Sequence, residues 1–412
     1  MRAGATFQAA RDGALPPLTE RDRRLAYQLA AGVLRRRAQL DRWLSLETVD
    51  PRLHDVLRLG AYQLRGGALT RVPPYAAVST SVELAREITG EGGARYVNQA
   101  LRKLARSESG ERGTAPSHPE WLLARWRKHF GTDEAALLAA WNDRRPPLTL
   151  QPLRWTSAAL RTRLTEAGFG VREAPYGAGL QVTSGGTAPR SPLPKELPGY
   201  GEGAFIVQDP AHALVCRYAA IPRDTIVYDA CAAPGGKATV LERKGARVVA
   251  GEARPERLGA LRDTARRAGV AIRVAVADLL SAPFRQGTFG AVLVDAPCSG
   301  TGTMARHPDA RWRVMPRTIR RAAARQRALL AAGAELVRPG GLLVYATCSL
   351  EPEENADIVT DFLARHAHFV RAPATGGGAV PAALLTPDGD FQTLPQRHGI
   401  DGAYAARLLR AR

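Results

Sequence analysis

The sequence predicts a multidomain protein of mixed α and α/β class, with a helical N-terminal part and a doubly wound α/β C-terminal part, and three observations support this. The chain has 412 residues, which is too long for one ordinary hydrophobic core. Its first hundred or so residues show helical apolar spacing without a strand pattern. Strand and helix patterns then alternate up to residue 349, as they do in doubly wound folds. We therefore expect two or three domains.

Composition favours a polyanionic partner. The chain carries 58 basic and 39 acidic residues, a formal net charge of +19, and basic side chains release counterions when they contact phosphates. Its four cysteines form no CxxC pair, which excludes the usual zinc and disulfide patterns. It has neither an apolar stretch long enough to cross a bilayer nor the apolar block of a signal peptide. We expect a cytoplasmic monomer that binds nucleic acid and neither a metal ion nor a membrane.

The N-terminal part is predicted to be a helical bundle. Thr19, with Asp22 three residues later, indicates the start of an arginine-rich helix. Further helices are predicted from the apolar spacing in residues 53–64, 76–88 and 96–104. Residues 1 to 17 are predicted to be irregular. These features alone fit a helical scaffold with solvated arginines as well as they fit an RNA-binding bundle.

The same part resembles the NusB-like RNA-binding domain. The matching segments are Glu20-Arg21-Asp22-Arg23, Gly32-Val33-Leu34-Arg35-Arg36, Leu57-Arg58-Leu59-Gly60-Ala61-Tyr62-Gln63-Leu64, Val72-Pro73-Pro74-Tyr75-Ala76-Ala77-Val78 and Val97-Asn98-Gln99-Ala100-Leu101-Arg102. The resemblance implies that residues 1–108 form an RNA-binding domain. Members of this family usually have a full helix before the first of these segments. Residues 1 to 17 hardly supply it, so either the helix is shortened or the assigned start of the chain is late.

A linker is predicted from Ser107 to Ser117, which is rich in glycine, serine and charged residues. Residues 117–207 then resemble the small α/β extension, similar to an RNA-recognition fold, that precedes the catalytic core of RNA cytosine-5 methyltransferases. The predicted elements are helices at 119–130, 133–141 and 157–167 and short strands at 148–150 and 179–182.

The doubly wound pattern occupies residues 208–412. Such sheets carry their functional groups at the carboxyl ends of the strands, so we expect the site in the residues that follow them. The predicted strands are 226–228, 248–250, 272–276, 291–294 and 342–345.

A cofactor site is predicted at the ends of the first strands. Gly235 and Gly236 follow the first strand and let the backbone approach a ligand at a helix N-terminus. Glu252 ends the second strand and is placed to accept hydrogen bonds from ribose hydroxyls. Dinucleotide and P-loop glycine motifs are absent, and Asp278 and Asp295 end the next strands. Three successive carboxylates repel pyrophosphate but suit the cationic S-adenosylmethionine, although an acidic residue at a strand end is, taken alone, more often only a helix cap.

Two cysteines follow the last two predicted strands. Cys298 lies in Pro297-Cys298-Ser299 and Cys348 in Thr347-Cys348-Ser349. A cysteine after a buried strand is more often an inert core residue than a reactive one. Two thiols at the same rim beside a cofactor site could nevertheless serve one reaction.

Several motifs of this part resemble those of RNA 5-methylcytosine methyltransferases, and with the NusB-like start they resemble the bacterial 16S rRNA cytosine-5 methyltransferases of the RsmB/Sun type. They are Cys231 to Lys237, Asp295 to Gly302, Arg306 to Asp309, Tyr345 to Ser349 with Pro352 to Asn355, and the closing residues 394–408. The resemblance implies a Rossmann-like class I methyltransferase domain over residues 208–412. It also implies that S-adenosylmethionine is bound by Cys231, Ala232, Ala233, Pro234, Gly235, Gly236, Lys237, Glu252, Asp278 and Asp295.

The resemblance further implies the catalytic roles. Carbon 5 of cytosine is a poor nucleophile, and a thiolate that adds to carbon 6 activates it. Cys348 is expected to attack, Asp295 to hydrogen-bond the N3 and amino edge, and Cys298 to assist release of the product. In DNA cytosine-5 methyltransferases the cysteine after proline attacks, which makes Cys298 the rival nucleophile.

The substrate expected from the resemblance is 16S rRNA. One alternative is a transfer-RNA cytosine-5 methyltransferase with the same core. Another is a non-enzymatic RNA-binding protein of ribosome assembly that retains an inactive fold. The presence of both cysteines and all three carboxylates argues against the second alternative.

Overall fold

A computed structural model describes residues 6–15, 17–65, 72–107, 117–183, 192–372 and 380–412. The chain divides into two compact units. The helical unit comprises Met1–Arg145 and Met304–Arg313, and the sheet unit comprises Pro146–Thr303 and Val314–Arg412. The linker predicted at Ser107 to Ser117 falls, except for its two end residues, outside the described residues. In the described parts of the chain, no helix is both long and apolar enough to cross a bilayer.

The helical unit is built largely as predicted. Its helices are α1 (Phe7–Ala14), α2 (Glu20–Leu44), α3 (His54–Arg65), α4 (Pro74–Arg106), α5 (Glu120–Phe130) and α6 (Thr132–Asp143). The Thr19 side chain accepts a hydrogen bond from the Asp22 backbone N–H and caps α2, which confirms the predicted start. The helices predicted at 76–88 and 96–104 are the two parts of α4, which is kinked at Gly90, where φ is +75°.

The prediction that residues 1 to 17 are irregular was wrong for Phe7–Ala14, which form α1. A helix of two turns is too short to be stable by itself, so its sequence carries little signal. Here Phe7 stacks on Tyr27 of α2, with ring centroids 5.3 Å apart. Tertiary packing therefore supplies the stability that local propensity does not.

The sheet unit begins with a small antiparallel sheet of strand order β2-β3-β1-β4 and one helix, α7 (Ser157–Glu166). Its strands β2 and β4 were not predicted, because β4 has only three residues and β2 contains a glycine and two charged residues, which are uncommon in strands. Leu150, Leu160 and Phe205 form part of its buried core. The strands are β1 (Leu148–Pro152), β2 (Gly170–Glu173), β3 (Leu180–Thr183) and β4 (Phe205–Val207).

The larger sheet has the order β10-β12-β9-β8-β5-β6-β7, with β11 paired to β12. Its strands are β5 (Ile226–Asp229), β6 (Arg247–Glu252), β7 (Arg273–Val276), β8 (Phe289–Asp295), β9 (Val337–Thr347), β10 (Phe369–Arg371), β11 (Phe391–Thr393) and β12 (Ala403–Arg410). Strands β5 to β9 run parallel, and β12 is antiparallel to β9. All five predicted strands are confirmed.

Helices cover both faces of this sheet, as expected for a doubly wound fold. They are α8 (Pro210–Tyr218), α9 (Gly236–Arg243), α10 (Leu258–Ala268), α12 (Pro316–Leu336), α13 (Ala356–Arg365) and α14 (Pro395–His398); the short helix α11 (Ala310–Arg313) belongs to the helical unit. The direction of strand addition reverses at β5, which lies between β6 and β8. Ligand sites of open α/β sheets form at such a reversal, outside the carboxyl ends of the strands.

Candidate active site

The two cysteines meet at the carboxyl ends of β8 and β9. The Sγ atoms of Cys298 and Cys348 lie 3.2 Å apart, although the residues are 50 positions apart in sequence. Strand register brings them together, because Asp295 pairs with Ala346 across β8 and β9. Beyond the strands, the Gly302 backbone N–H donates to the Cys348 carbonyl at 3.0 Å. The two thiols that the sequence singled out therefore share one site.

A buried glutamate fixes the two cysteine loops, residues 296–302 and 348–355. The Glu354 side chain accepts hydrogen bonds from the Ser299 backbone N–H at 2.8 Å and from the Ser349 hydroxyl at 2.5 Å. It also accepts from the Ser299 hydroxyl and from Gln326 Nε2. Burial raises the pKa of Glu354, and these hydrogen bonds oppose the rise. Because each serine follows one of the cysteines, one carboxylate positions both thiols.

Glu354 lies within one of the motifs found in the sequence, but no role was predicted for it. The available signal was a serine directly after each cysteine together with an acidic residue shortly after the second. Asn355 completes the loop, since its Nδ2 donates to the Ser349 carbonyl at 2.9 Å and its Oδ1 accepts from the Thr347 hydroxyl at 2.5 Å. The cysteine loops are thus held by hydrogen bonds within the protein.

The surroundings of Cys298 disfavour its ionisation. The hydrogen bond with Cys348 raises the pKa of Cys298 well above its ordinary value, and burial and the nearby Glu354 carboxylate raise it further. Either sulfur can be the donor in the hydrogen bond between Cys298 and Cys348. Burial likewise raises the pKa of Cys231 to about 12, with Asp229 and other carboxylates contributing. Neither Cys298 nor Cys231 is activated as a thiolate here.

Asp295 at the end of β8 is paired with a buried lysine. Lys237 Nζ lies 2.6 Å from Asp295 Oδ2 and 3.1 Å from His212 Nδ1. Burial opposes the charge on Lys237, but the Asp295 carboxylate outweighs burial and raises the pKa of Lys237. An ammonium group only donates, so the His212 Nδ1 atom accepts and the imidazole is neutral in this arrangement. His212 lies on α8, and no sequence pattern marked it as part of the site.

Carboxylates follow the other strands as predicted. Glu252 is buried at the end of β6, where Oε1 accepts from the Arg254 backbone N–H at 3.0 Å and Oε2 from Arg257 Nη1 at 3.1 Å. Arg257 Nη2 also donates to the Ala233 carbonyl at 3.0 Å and so connects the loop from Cys231 to Lys237 with Glu252. Asp278 Oδ1 accepts from the Leu280 backbone N–H at 3.1 Å and caps a short 3-10 helix. The capping role and a ligand role remain compatible for Asp278.

Asp229, the last residue of β5, was not predicted as a site residue. Burial and the nearby Asp295 carboxylate raise the pKa of its carboxyl group to about 7, although the Lys237 ammonium opposes the rise. Asp229 therefore gains from any additional positive charge nearby. Its position one strand from Glu252 and one strand from Asp295 was the signal that could have identified it.

The loop from Cys231 to Lys237 joins β5 to α9. The Ala232 backbone N–H donates to the Gly251 carbonyl at 2.9 Å, and Gly235 precedes α9 with φ at +100°. That φ lies in the left-handed region, which glycine adopts without strain. A cationic adenosine cofactor fits these residues. The Glu252 carboxylate suits the ribose hydroxyls, and the Asp229 carboxyl group, whose charge is compensated only in part, suits a cation.

The motif from Arg306 to Asp309 lies elsewhere, within the helical unit. Arg311, in the same segment, is fully buried, and its guanidinium donates to Asp143 Oδ1 at 2.8 Å and to the Ser117 carbonyl at 3.1 Å. Asp309 Oδ2 accepts from Arg313 Nε at 2.8 Å. This segment is thus built into the helical unit by buried hydrogen bonds.

Comparisons with known proteins cover all three predicted parts of the chain. Residues 219–409 match the family model of the 16S rRNA methyltransferase RsmB/F. Residues 3–106 match the NusB family, and residues 118–187 match the ferredoxin-like domain of RsmF/B-like methyltransferases.

Curated relatives match over nearly the whole length. Ribosomal RNA small subunit methyltransferase B of Klebsiella pneumoniae is 33% identical, over 97% of this chain and 93% of its own length. The protein of the same name from Pectobacterium carotovorum is 33% identical, over 95% of this chain and 92% of its own length.

Solved structures share the fold. The crystal structure of PH0851 superposes with a TM-score of 0.78 at 23% identity, over 95% of this chain and 90% of its own. NSun6 from Pyrococcus horikoshii, solved with SFG, superposes with a TM-score of 0.60 at 19% identity, over 71% of this chain and 98% of its own.

Proposed function

The chain belongs to the RsmB/F family of S-adenosylmethionine-dependent RNA methyltransferases, and from this premise we propose that it methylates carbon 5 of a cytosine in 16S rRNA through a covalent cysteine intermediate. The observation that carries the proposal is the pair of thiols 3.2 Å apart beside Asp295. The choice of 16S rRNA over transfer RNA is supported by the relatives, which are small-subunit rRNA methyltransferases.

Cys348 is the proposed nucleophile. Its sulfur adds to carbon 6 of the cytosine, which moves the ring electrons so that carbon 5 becomes nucleophilic. The assignment follows the RNA 5-methylcytosine methyltransferases that the chain resembles, and the Cys298 sulfur, 3.2 Å away, can share a hydrogen bond with the Cys348 sulfur. In the rival assignment Cys298 attacks, as the cysteine after proline does in DNA cytosine-5 methyltransferases.

Asp295 is proposed to accept a hydrogen bond at the N3 and amino edge of the base. Lys237 and His212 hold its carboxylate in place. After carbon 5 is methylated, a base removes the carbon 5 proton, the bond between carbon 6 and sulfur breaks, and the sulfur leaves as thiolate. Cys298, in contact with that sulfur, is proposed to assist this release.

The proposed cofactor contacts are the loop from Cys231 to Lys237, with Glu252, Asp278 and Asp295. S-adenosylmethionine, when bound there, supplies the electrophilic methyl group. Glu252 is proposed to accept from the ribose hydroxyls, and the nearby carboxylates to favour the positive charge of the cofactor. Asp229 joins this set by its position and raised pKa.

The basic helical unit is proposed to supply RNA affinity. A base inside a duplex stack is out of reach of this chemistry, so the target cytosine must lie in a loop or be flipped out. The proposal includes the domain division 1–108, 117–207 and 208–412. It also includes a monomeric cytoplasmic enzyme that needs no metal ion.

Bisulfite sequencing of cellular RNA, with and without this gene, tests the proposal. We expect one or more cytosines of 16S rRNA to lose protection when the gene is deleted and to regain it when the gene is restored. Restoration with Cys348→Ala should not return protection. A change confined to transfer RNA would overturn the 16S assignment, and unchanged cytosines in all RNA would overturn cytosine methylation.

A further inference from the structure

Helix α12 of the sheet unit has one buried face and one strongly basic face. Ile319, Ala323 and Leu330 are buried on the first face. The second face exposes four arginines to solvent, namely Arg317, Arg320, Arg321 and Arg325. Among the described residues, none of these four forms an ion pair or a hydrogen bond, whereas Arg327 of the same helix pairs with Asp361 at 2.8 Å.

This arrangement costs helix stability. Arg317, Arg321 and Arg325 are spaced four residues apart, so their charges are neighbours and repel one another. Arg317 also stands in the first turn, which contains no acidic residue and where the helix dipole disfavours positive charge. Folding alone gains nothing from these charges, and an external anion would compensate both costs.

The helix that carries the basic face is hydrogen-bonded to the cysteine loops. Gln326, adjacent to Arg325, is fully buried, and its Nε2 donates to the Pro297 carbonyl and to Glu354 Oε1, both at 3.0 Å. Pro297 precedes Cys298, and Glu354 holds both cysteine loops. The charge of Arg325 also acts on the Cys231 thiol, so Arg325 lies within electrostatic range of the loop from Cys231 to Lys237.

We propose that the face formed by Arg317, Arg320, Arg321 and Arg325 binds the phosphates of the RNA strand that flanks the target cytosine. The inference rests on the proposed function and adds a second RNA-binding surface, on the sheet unit itself. Guanidinium groups match phosphate oxygens in geometry as well as in charge. A flipped base must be held by its flanking backbone, and unpaired arginines on a helix that is hydrogen-bonded to the cysteine loops suit that task.

The test compares two sets of four substitutions in the full chain. The first changes the four arginines to glutamine, which keeps helix propensity. The matched control changes four solvent-accessible arginines of the same unit that already have acidic partners, Arg161, Arg163, Arg266 and Arg365. Both sets remove the same charge. Affinity for a 16S rRNA transcript is then measured over a range of salt concentrations.

We expect the slope of log affinity against log salt to fall by about 3 in the first set, at about 0.7 for each phosphate contact with single-stranded RNA, and to stay near wild type in the control. Replacing the same four arginines by lysine should restore most of the slope, and calorimetry should show unchanged S-adenosylmethionine binding in each variant. Equal slopes in the glutamine set and its control would overturn the proposal. Because this experiment measures binding, its result is independent of whether the bound RNA is methylated at a cytosine.

Discussion

The two halves of the site are stabilised in different ways. The cysteine loops are held by hydrogen bonds within the protein, and Glu354 accepts from groups in both loops. The carboxylate cluster, formed by Asp229, Glu252 and Asp295 at the ends of β5, β6 and β8, carries charge that the protein compensates only in part, as the raised pKa of Asp229 shows. The first half is therefore preorganised for reaction. The second is completed by a ligand of opposite charge.

The largest effect is expected when the thiols of the cysteine loops are removed. If Cys348 attacks and Cys298 assists release, Cys348→Ala should abolish both methylation and any covalent protein–RNA adduct, because it removes the sulfur that adds to carbon 6. Cys298→Ala should allow attack and methyl transfer but leave the product attached. A denaturing gel of the enzyme with a 16S rRNA transcript and S-adenosylmethionine measures the adduct.

The control for the two thiols is Cys216→Ala, which removes a buried thiol of high pKa on α8 and should produce neither effect on the adduct. If the stable adduct formed with Cys348→Ala and not with Cys298→Ala, the roles would be reversed. The order of events decides between them, since a nucleophile acts before the methyl group moves and a release group acts after.

Glu354→Gln should disturb the preorganised half next. The carboxylate accepts from four donors, whereas a glutamine amide has one acceptor oxygen and places N–H groups against donors. We expect the free energy of unfolding to fall by about 1–3 kcal/mol, the cost of leaving buried donors unpaired, together with a large loss of methylation. Denaturant unfolding and a methylation assay measure the two effects.

The exposed Glu335 of α12 offers the matched control, and Glu335→Gln should change neither quantity measurably. S-adenosylmethionine affinity should survive Glu354→Gln, because the carboxylate cluster is left intact. Loss of cofactor binding at unchanged stability would instead place Glu354 in the cofactor half of the site.

The sequence predicted most reliably the strands whose residues are apolar because they are buried. Strands β5, β6, β8 and β9 are apolar runs because they are covered on both faces, and the parallel sheet then places Glu252, Asp295 and both thiols at one edge. The sequence thus predicted the fold of the sheet unit and most of its candidate site residues. The short elements α1 and β4 escaped, because packing rather than local pattern stabilises them.

Pairings across the sheet could not be predicted. Lys237 was assigned to the cofactor loop, and its bond to Asp295 exists because β5 and β8 are neighbours although 58 residues separate the two side chains. His212 reaches Lys237 because α8 packs beside α9. Such contacts depend on helix placement, which periodicity does not specify.

Asp229 provides a pH test of the carboxylate cluster. Its pKa of about 7 in the folded protein exceeds the unfolded value of 3.8, so the folded state holds an extra proton between these values. Stability from this group is therefore lost as pH rises through that window. A cationic cofactor favours the ionised carboxylate, so binding should release a proton and tighten as pH rises toward 7.

Calorimetry of S-adenosylmethionine binding in buffers of different ionisation enthalpy measures the released proton. The affinity should increase by up to about tenfold per pH unit below the pKa, the limit for one linked proton. Asp229→Asn should bind more weakly and without this pH dependence. Proton release that persists in Asp229→Asn would assign the titration to another group and end this interpretation.

The smallest expected effect lies at His212, which acts on the carboxylate cluster through Lys237. Its Nδ1 accepts from Lys237 Nζ, which in turn holds Asp295 against the reacting base. His212→Ala removes that acceptor, and we expect kcat to fall by about tenfold, since a hydrogen bond to a charged group contributes about 1.5 kcal/mol.

Asparagine can place its Oδ1 near the Nδ1 position, so His212→Asn should recover most of the rate. The KM for S-adenosylmethionine should change less than kcat in either variant, because Asp295 is only one of the proposed cofactor contacts. His366→Ala is the matched control, since within the described parts of the chain that imidazole hydrogen-bonds to the backbone of its own helix, with Nδ1 2.9 Å from the Phe362 carbonyl. A purely structural role would lower stability equally in the alanine and asparagine variants without separating kcat from KM, and equal rates in His212→Ala and wild type would exclude His212 from the positioning of Asp295.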